Sequence, residues 1–217
     1  MLILGVEAIR RGERLRLDLG DEVVELAAAV CPSLAAGDEL DDRQLAALRD
    51  ATADHDTREA ALRLLAYRPR SNGELRERLG RKGFESARIE RCLAGLRDAG
   101  LVDDAAFAEA HTREAVRLRP RGSRRLVAEL RRKGVADAVA ADAVQQVMLD
   151  EGAADVELAR RAAEGWFRRA GAEARSLLCG AGERAQVERT RRRFWGYMSR
   201  RGFGPDAVRA ALEVVCQ

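Results

Sequence analysis

Covalent or metal-assisted chemistry in this chain would have to come from two histidines, four cysteines or paired carboxylates, and the spacing of none supports it. His55 and His111 lie in different contexts with no serine or cysteine motif beside either, whereas nucleophilic catalysis needs a convergent constellation. Cys31, Cys92, Cys179 and Cys216 form no Cys-x-x-Cys pair and fit no zinc spacing, so they read as buried or idle thiols. Lys82 and Lys133 precede glycines rather than follow them, which excludes a phosphate-binding Gly-Lys-Ser/Thr loop. Gly180-Ala181-Gly182 lacks the strand and the third glycine of a dinucleotide site. The carboxylates are spread along helical stretches at ion-pairing distance from arginines, as on solvated faces. The reading is a non-enzyme, with no catalytic residue, cofactor or metal ligand to nominate.

Arginine chemistry is another matter. Between Thr112 and Lys133 lie nine basic residues (Arg113, Arg117, Arg119, Arg121, Arg124, Arg125, Arg131, Arg132 and Lys133), opposed only by Glu114 and Glu129. A second run, Arg189-Thr190-Arg191-Arg192-Arg193, precedes Phe194-Trp195. A planar guanidinium suits phosphate and carboxylate equally, so such runs point to polyanions or acidic protein surfaces. The competing reading is a solvated helix face with incidental charge. Charge pattern nominates Arg81, Lys82, Arg113, Arg117, Arg119, Arg121, Arg124, Arg125, Arg132, Lys133, Arg191, Arg192, Arg193, Arg200 and Arg201 as the partner- or DNA-binding face. Phe194 is a core candidate, while Trp195 and Tyr197 are free for surface contacts.

The net charge of +3 conceals a division. Residues 1–56 hold 6 Arg/Lys against 13 Asp/Glu, and residues 57–217 hold 33 against 23. No apolar run approaches the roughly 18 residues of a membrane span, and Leu2-Ile3-Leu4 meets charge too soon for a signal sequence. A cytoplasmic protein without membrane contact is the expectation.

The elements that must hold these arginines repeat three times. Arg81-Lys82-Gly83-Phe84, Arg132-Lys133-Gly134-Val135 and Arg200-Arg201-Gly202-Phe203 each follow an apolar pair, Leu75/Leu79, Leu126/Leu130 and Phe194/Met198. Downstream, apolar residues recur in one register: Ile89, Leu93 and Leu96; Ala140, Val144 and Val147; Val208, Leu212 and Val215. One supersecondary unit is therefore used three times, and stacked repeats make long binding surfaces. In the first copy Ala60, Leu62, Leu65 and Tyr67 stripe a helix that ends at Arg68-Pro69, and Ser71 caps the next, with Glu74 completing a capping box. Gly83 ends that helix in the left-handed conformation. The third copy carries about 17 extra residues, placed at about 171–187 as a longer loop or extended helix ends. Ahead of the repeats, Val6–Ile9, Leu15–Leu19 and Val23–Leu26 alternate as three strands, and Asp41 or Asp42 caps a helix through Leu45 and Leu48. The fold class is mainly α: three tandem three-helix repeats in an extended or curved array, behind a small β-rich module. Boundaries fall at 1–54, 55–104, 105–150 and 151–217.

Certain of these residues resemble the RecX family of recombination regulators. They are Arg81-Lys82-Gly83-Phe84, the junction Gly100-Leu101-Val102-Asp103-Asp104-Ala105-Ala106-Phe107-Ala108, the turn Pro120-Arg121-Gly122, and Tyr197-Met198-Ser199-Arg200-Arg201-Gly202-Phe203. The match covers roughly residues 56–216, and the acidic N-terminal stretch is similar to an extension of longer members. The insertion in the third copy and Val135 in place of a larger residue depart from the pattern. The resemblance implies a partner, the RecA recombinase filament. It also implies a monomer lying in the filament groove and inhibiting its ATPase, recombinase and coprotease activities in recombination, DNA repair and the SOS response. Single- or double-stranded DNA is a further implied contact. An autonomous, non-sequence-specific DNA-binding protein built from helix-turn-helix-like repeats is the alternative.

Overall fold

Alternation and turn chemistry build the N-terminal sheet. In the computed structural model, which describes residues 1–31 and 33–216, strands β1 (Gly5–Ile9), β2 (Arg14–Asp18) and β3 (Val23–Ala27) form an antiparallel sheet in sequence order. Val6 pairs with Leu17, Leu17 with Val24, and Leu15 with Leu26. Leu17, Leu26, Ile3, Leu40 and Leu45 are buried together on one face. Asp41 caps helix α1 (Asp42–Tyr67) in a reciprocal capping box with Gln44. No glycine or proline interrupts the next 25 residues, so α1 runs 26 residues without a break. The charge division after residue 56 and the expected module boundary after residue 54 therefore both fall inside a helix. Its first half packs under the sheet, where Thr52 Oγ1 accepts from the Ala27 amide at 3.1 Å, and Arg14 grips Asp56 with a bidentate contact at 2.7 Å.

Ten helices follow the sheet among the described residues: α1, α2 (Asn72–Arg81), α3 (Ser86–Asp98), α4 (Asp104–Leu118), α5 (Ser123–Arg132), α6 (Asp137–Asp150), α7 (Asp155–Ala170), α8 (Ala172–Leu178), α9 (Arg184–Arg200) and α10 (Pro205–Val215). The chain divides into two compact units, one holding Met1–Arg70 with Leu75–Val102, the other Ser71–Glu74 with Asp103 onward. Each repeat anchor inferred from the register is buried except Leu212, which is half-buried. Leu75, Leu79, Leu93 and Leu96 make the first core; Leu126, Leu130, Ala140 and Val144 the second; Phe194, Met198, Val208 and Val215 the third. Trp166, Phe167 and Phe194 interlock in the last, two pairs edge-to-face and one stacked.

The repeated glycines behave as glycine chemistry requires. Gly83, Gly134 and Gly202 have φ of 89°, 78° and 82°. In each copy the following amide (Phe84, Val135, Phe203) reaches back five residues to the carbonyl of Leu79, Leu130 or Met198, the six-to-one bond of a Schellman cap.

Three expectations need correction. Tyr67 is 84 % exposed, because it lies in the final turn of α1 beyond the last residue that the first core covers. The extra residues of the third copy are neither loop nor mere extension. Gly171 (φ 88°) stops α7, α8 follows as a separate helix, and α9 starts at Arg184. Cys179 and Cys216, read as idle thiols, are joined in a disulfide that ties the end of α8 to the end of α10, and only Cys31 and Cys92 are free. Sequence spacing could not reveal this, since the partners are 37 residues apart.

Candidate anion-binding cleft

The site begins at the end of α4. Pro120 cannot continue a helix, so Arg119-Pro120-Arg121-Gly122 turns the chain into α5. Gly122 is required here by close approach: a Cβ would lie 2.3 Å from the Gly202 carbonyl oxygen and 2.6 Å from its carbon. The Gly122 amide donates to Arg201 O at 2.9 Å, and Arg125 Nη1 donates to Arg200 O at 2.8 Å. The turn of the second copy thus docks on the Arg-Arg-Gly of the third. An equivalent contact occurs one copy earlier, where a Cβ on Gly73 would lie 2.4 Å from Gly134 Cα. There the Ser71 hydroxyl donates to Lys133 O while accepting from the Glu74 amide.

This docking explains part of the basic-basic-glycine repetition. The second basic residue of two copies faces inward across the junction. Lys133 Nζ sits 3.3 Å from Glu74 and 5.9 Å from the Phe107 ring centroid. Arg201 donates to Pro120 O at 3.2 Å and covers the Tyr197 ring at 4.6 Å. In the first copy Arg81 pairs with Glu77 at 2.9 Å and Lys82 is exposed.

Docking also gathers arginines that the sequence scatters. A cleft of about 660 Å³ is lined by Arg119, Arg121, Arg125, Arg161, Arg168, Arg169, Arg200 and Arg201, with Tyr197 and no carboxylate. Charge pattern nominated five of these. Arg161, Arg168 and Arg169 come from α7, whose sequence alternates arginine with acid and so advertises nothing. Their cue is spacing: Arg161, Gly165, Arg168 and Arg169 share one helix face. Arg161 is held by two carbonyls at the end of α4, Val116 O and Arg117 O, each at 3.0 Å. Arg169 donates to Tyr197 Oη at 2.8 Å. Arg119, Arg168 and Arg200 are exposed and make no ion pair among the described residues, leaving their forks for an anion.

The rest of the nominated face is partly spent inside the protein. Arg121 and Arg125 converge on Glu129, whose side chain is only 10 % exposed, the second through Nε at 2.8 Å. His111 Nε2 lies 3.8 Å from the same carboxylate, buried without a hydrogen-bond partner. Burial, with Lys133 nearby, holds the His111 pKa below the usual imidazole range. Arg117 and Arg113 both reach Glu151, at 2.7 and 3.5 Å. The Arg117 hydrogen bond, outweighing partial desolvation, lowers the Glu151 pKa. Arg132 donates to the Ala128 carbonyl at 3.3 Å. Arg124, Arg191, Arg192 and Arg193 are exposed and unpaired among the described residues, outside the arginine cleft. Trp195 packs partly against the third core.

No group of His, Cys, Asp or Glu among the described residues could hold a metal ion, and no described helix is long and apolar enough to cross a membrane.

Known proteins share this sequence pattern and fold. The family model described as RecX, first three-helix domain, matches residues 58–96, and that for the second three-helix domain matches residues 103–144. The chain is 37 % identical over 154 residues to the regulatory protein RecX of Halorhodospira halophila, covering 71 % of this chain and 84 % of that protein. It is 32 % identical to the RecX of Chlorobaculum tepidum, covering 71 % and 85 %. A crystal structure of regulatory protein RecX superposes with a TM-score of 0.70 at 23 % identity, over 98 % of this chain and all of that one. The RecX structure from Lactobacillus salivarius gives 0.55 at 19 %, over 76 % of this chain and 97 % of the other. These two likenesses establish the fold.

Proposed function

Because the chain belongs to the RecX family of regulatory proteins, we propose that it binds the filament that the RecA recombinase forms on DNA and restrains that filament's ATPase, strand-exchange and coprotease activities. The observation that carries this reading is the arginine cleft with no carboxylate in its lining. Among the described residues three of its guanidiniums make no ion pair, so the cleft is electrostatically incomplete until an anion fills it. A nucleoprotein filament offers phosphates and acidic side chains side by side. The protein acts as a non-enzymatic, monomeric wedge in the cytoplasm, with Lys82, Arg124 and Arg191–Arg193 as further contacts. The Gly122–Gly202 junction sets the spacing of the cleft arginines, so restraint depends on that junction staying closed.

The same guanidiniums suit bare DNA, which is the second reading. The two differ in salt dependence, because binding to a single strand through phosphates alone falls by about 0.7 log units per contact for each log unit of salt. The test is binding to a labelled single strand, naked or coated with RecA and a non-hydrolysable nucleotide, between about 50 and about 200 mM salt. Tighter, salt-tolerant binding to the coated strand is expected. Equal affinity for both strands with one steep slope would replace the filament reading by plain DNA binding.

A further inference from the structure

The second repeat carries an apolar groove beside its core. The groove, of about 790 Å³, runs along α5 and α6 and is floored by Val127, Ala141, Val144, Met148 and Leu149. Leu149 is 68 % exposed. Counted from the repeat glycines, Val127 and Ala141 stand where the first copy has Arg76 and Glu90. There the two close an ion pair across the surface, Arg76 Nη2 to Glu90 Oε2 at 2.9 Å. Met148 and Leu149 likewise replace Arg97 and Asp98. In the third copy Arg209 stands for Ala141, while Trp195 stands for Val127 and Cys216 for Met148, so charge is kept at Arg209 alone of these three. The first copy closes this surface with charge, whereas the second presents hydrocarbon there, with Val127 and Met148 half-buried against the core and Ala141 and Leu149 exposed. An apolar cleft of this volume with a few polar groups at its edge has the form of a binding site.

Resting on the filament reading, we infer that this groove receives a segment of a recombinase protomer presenting an apolar side chain beside a carboxylate. Two features select that chemistry. No aromatic residue lines the groove to stack a base, and its floor is hydrocarbon, with Ser123, Arg124 and Gln145 the polar side chains of its lining. Its one charged lining residue is Arg124, which has no ion pair among the described residues, and no acid lines the groove to neutralise it. The groove supplies the salt-tolerant, protein-specific part of binding, and the arginine cleft supplies the electrostatic part.

The test restores the first copy's ion pair in the second, as V127R/A141E, a change neutral in charge that covers the groove. Binding to RecA-coated single-stranded DNA is measured against salt for wild type and variant, with melting curves and sedimentation alongside. Val127 is half-buried against the second core, so the expected result is a modestly lower melting temperature, near-equal affinity at low salt, and a loss of at least about tenfold at near-physiological salt. Leu149→Glu, at a position the core does not use, is the second variant and should show the same loss if the first is poorly folded. Equal affinity of wild type and Leu149→Glu at high salt would overturn the groove while leaving the filament reading intact. Wild type that ignores coated strands altogether would remove the filament reading, and the groove's assignment with it. Self-association of wild type that both variants abolish, with filament affinity unchanged, would reassign the groove to a second copy of this chain.

Discussion

Charge reversal is the natural probe of a basic surface, and the structure divides the arginines into two groups that should respond oppositely. Arg121 and Arg125 hold Glu129, whose side chain is 10 % exposed. Removing both partners strands a nearly buried carboxylate beside His111, 3.8 Å away. Breaking a buried pair from one side costs about 3–5 kcal/mol; Arg125 is 41 % exposed, which favours the lower half of that range. For a chain of 217 residues each kcal/mol is roughly 2–4 °C of melting temperature, so Arg121→Ala/Arg125→Ala should melt about 6–16 °C lower. Adding Glu129→Gln should recover most of the loss, since removing a whole buried pair is close to neutral. Arg119, Arg168 and Arg200 make no ion pair among the described residues, and their reversal to Glu should change stability by no more than about 0.5 kcal/mol each. That triple variant should retain its circular dichroism and melting point yet lose filament binding. Each single-strand phosphate contact removed should flatten the salt slope by about 0.7. Thermal melting followed by salt-dependent binding reads both halves. Wild-type melting in Arg121→Ala/Arg125→Ala, or undiminished filament affinity in the triple reversal, would refute the division.

Other expectations follow from the same structure. Gly73→Ala and Gly80→Ala lie on one helix and should differ in sign. A Cβ at Gly73 collides with the Gly134 backbone at 2.4 Å whereas one at Gly80 meets nothing within 4 Å, so the first should cost about 1–3 kcal/mol and the second gain about 0.5–1. Parallel melting curves that move the same way would dissolve the junction. Alkylation of the unfolded but unreduced protein should modify two cysteines, Cys31 and Cys92, and four after reduction. Closing a 37-residue separation stabilises by up to about 4 kcal/mol in the chain-entropy model. Wild type should therefore melt lower under reductant while Cys179→Ser/Cys216→Ser does not respond. Finally, because the His111 pKa is lowered in the fold, the unfolded chain takes up this proton first as pH falls. Stability should decline from about pH 6.5 down to the folded pKa and level off below it. His111→Gln should remove that component, and an unchanged pH profile of melting in the variant would contradict it.

Much of the fold was legible because its signals are local. Periodicity marked Leu75, Leu126 and Phe194 as equivalent core positions, and the glycine after each basic pair marked the cap. What periodicity could not show is which charges face each other across a turn. Glu129 reads as one acid lost in a basic run, yet it neutralises two of the nominated arginines. Arg168 is not singled out by charge pattern, yet it lines the cleft with Arg119 and Arg200, where Gly122 and Gly202 meet. That contact joins residues 80 apart in sequence, and only the missing Cβ atoms hint at it. The disulfide and the uninterrupted α1 were hidden for related reasons: one is long-range, and the other crosses a change of composition that no helix breaker accompanies.

The most direct measurement is the DNA-dependent ATPase rate of RecA on single-stranded DNA, titrated with this protein at low and at near-physiological salt. Inhibition at substoichiometric amounts that persists at the higher salt, and that Arg119→Glu/Arg168→Glu/Arg200→Glu abolishes, is the expected result. An unchanged ATPase rate at either salt, with binding only to naked DNA, would contradict the account.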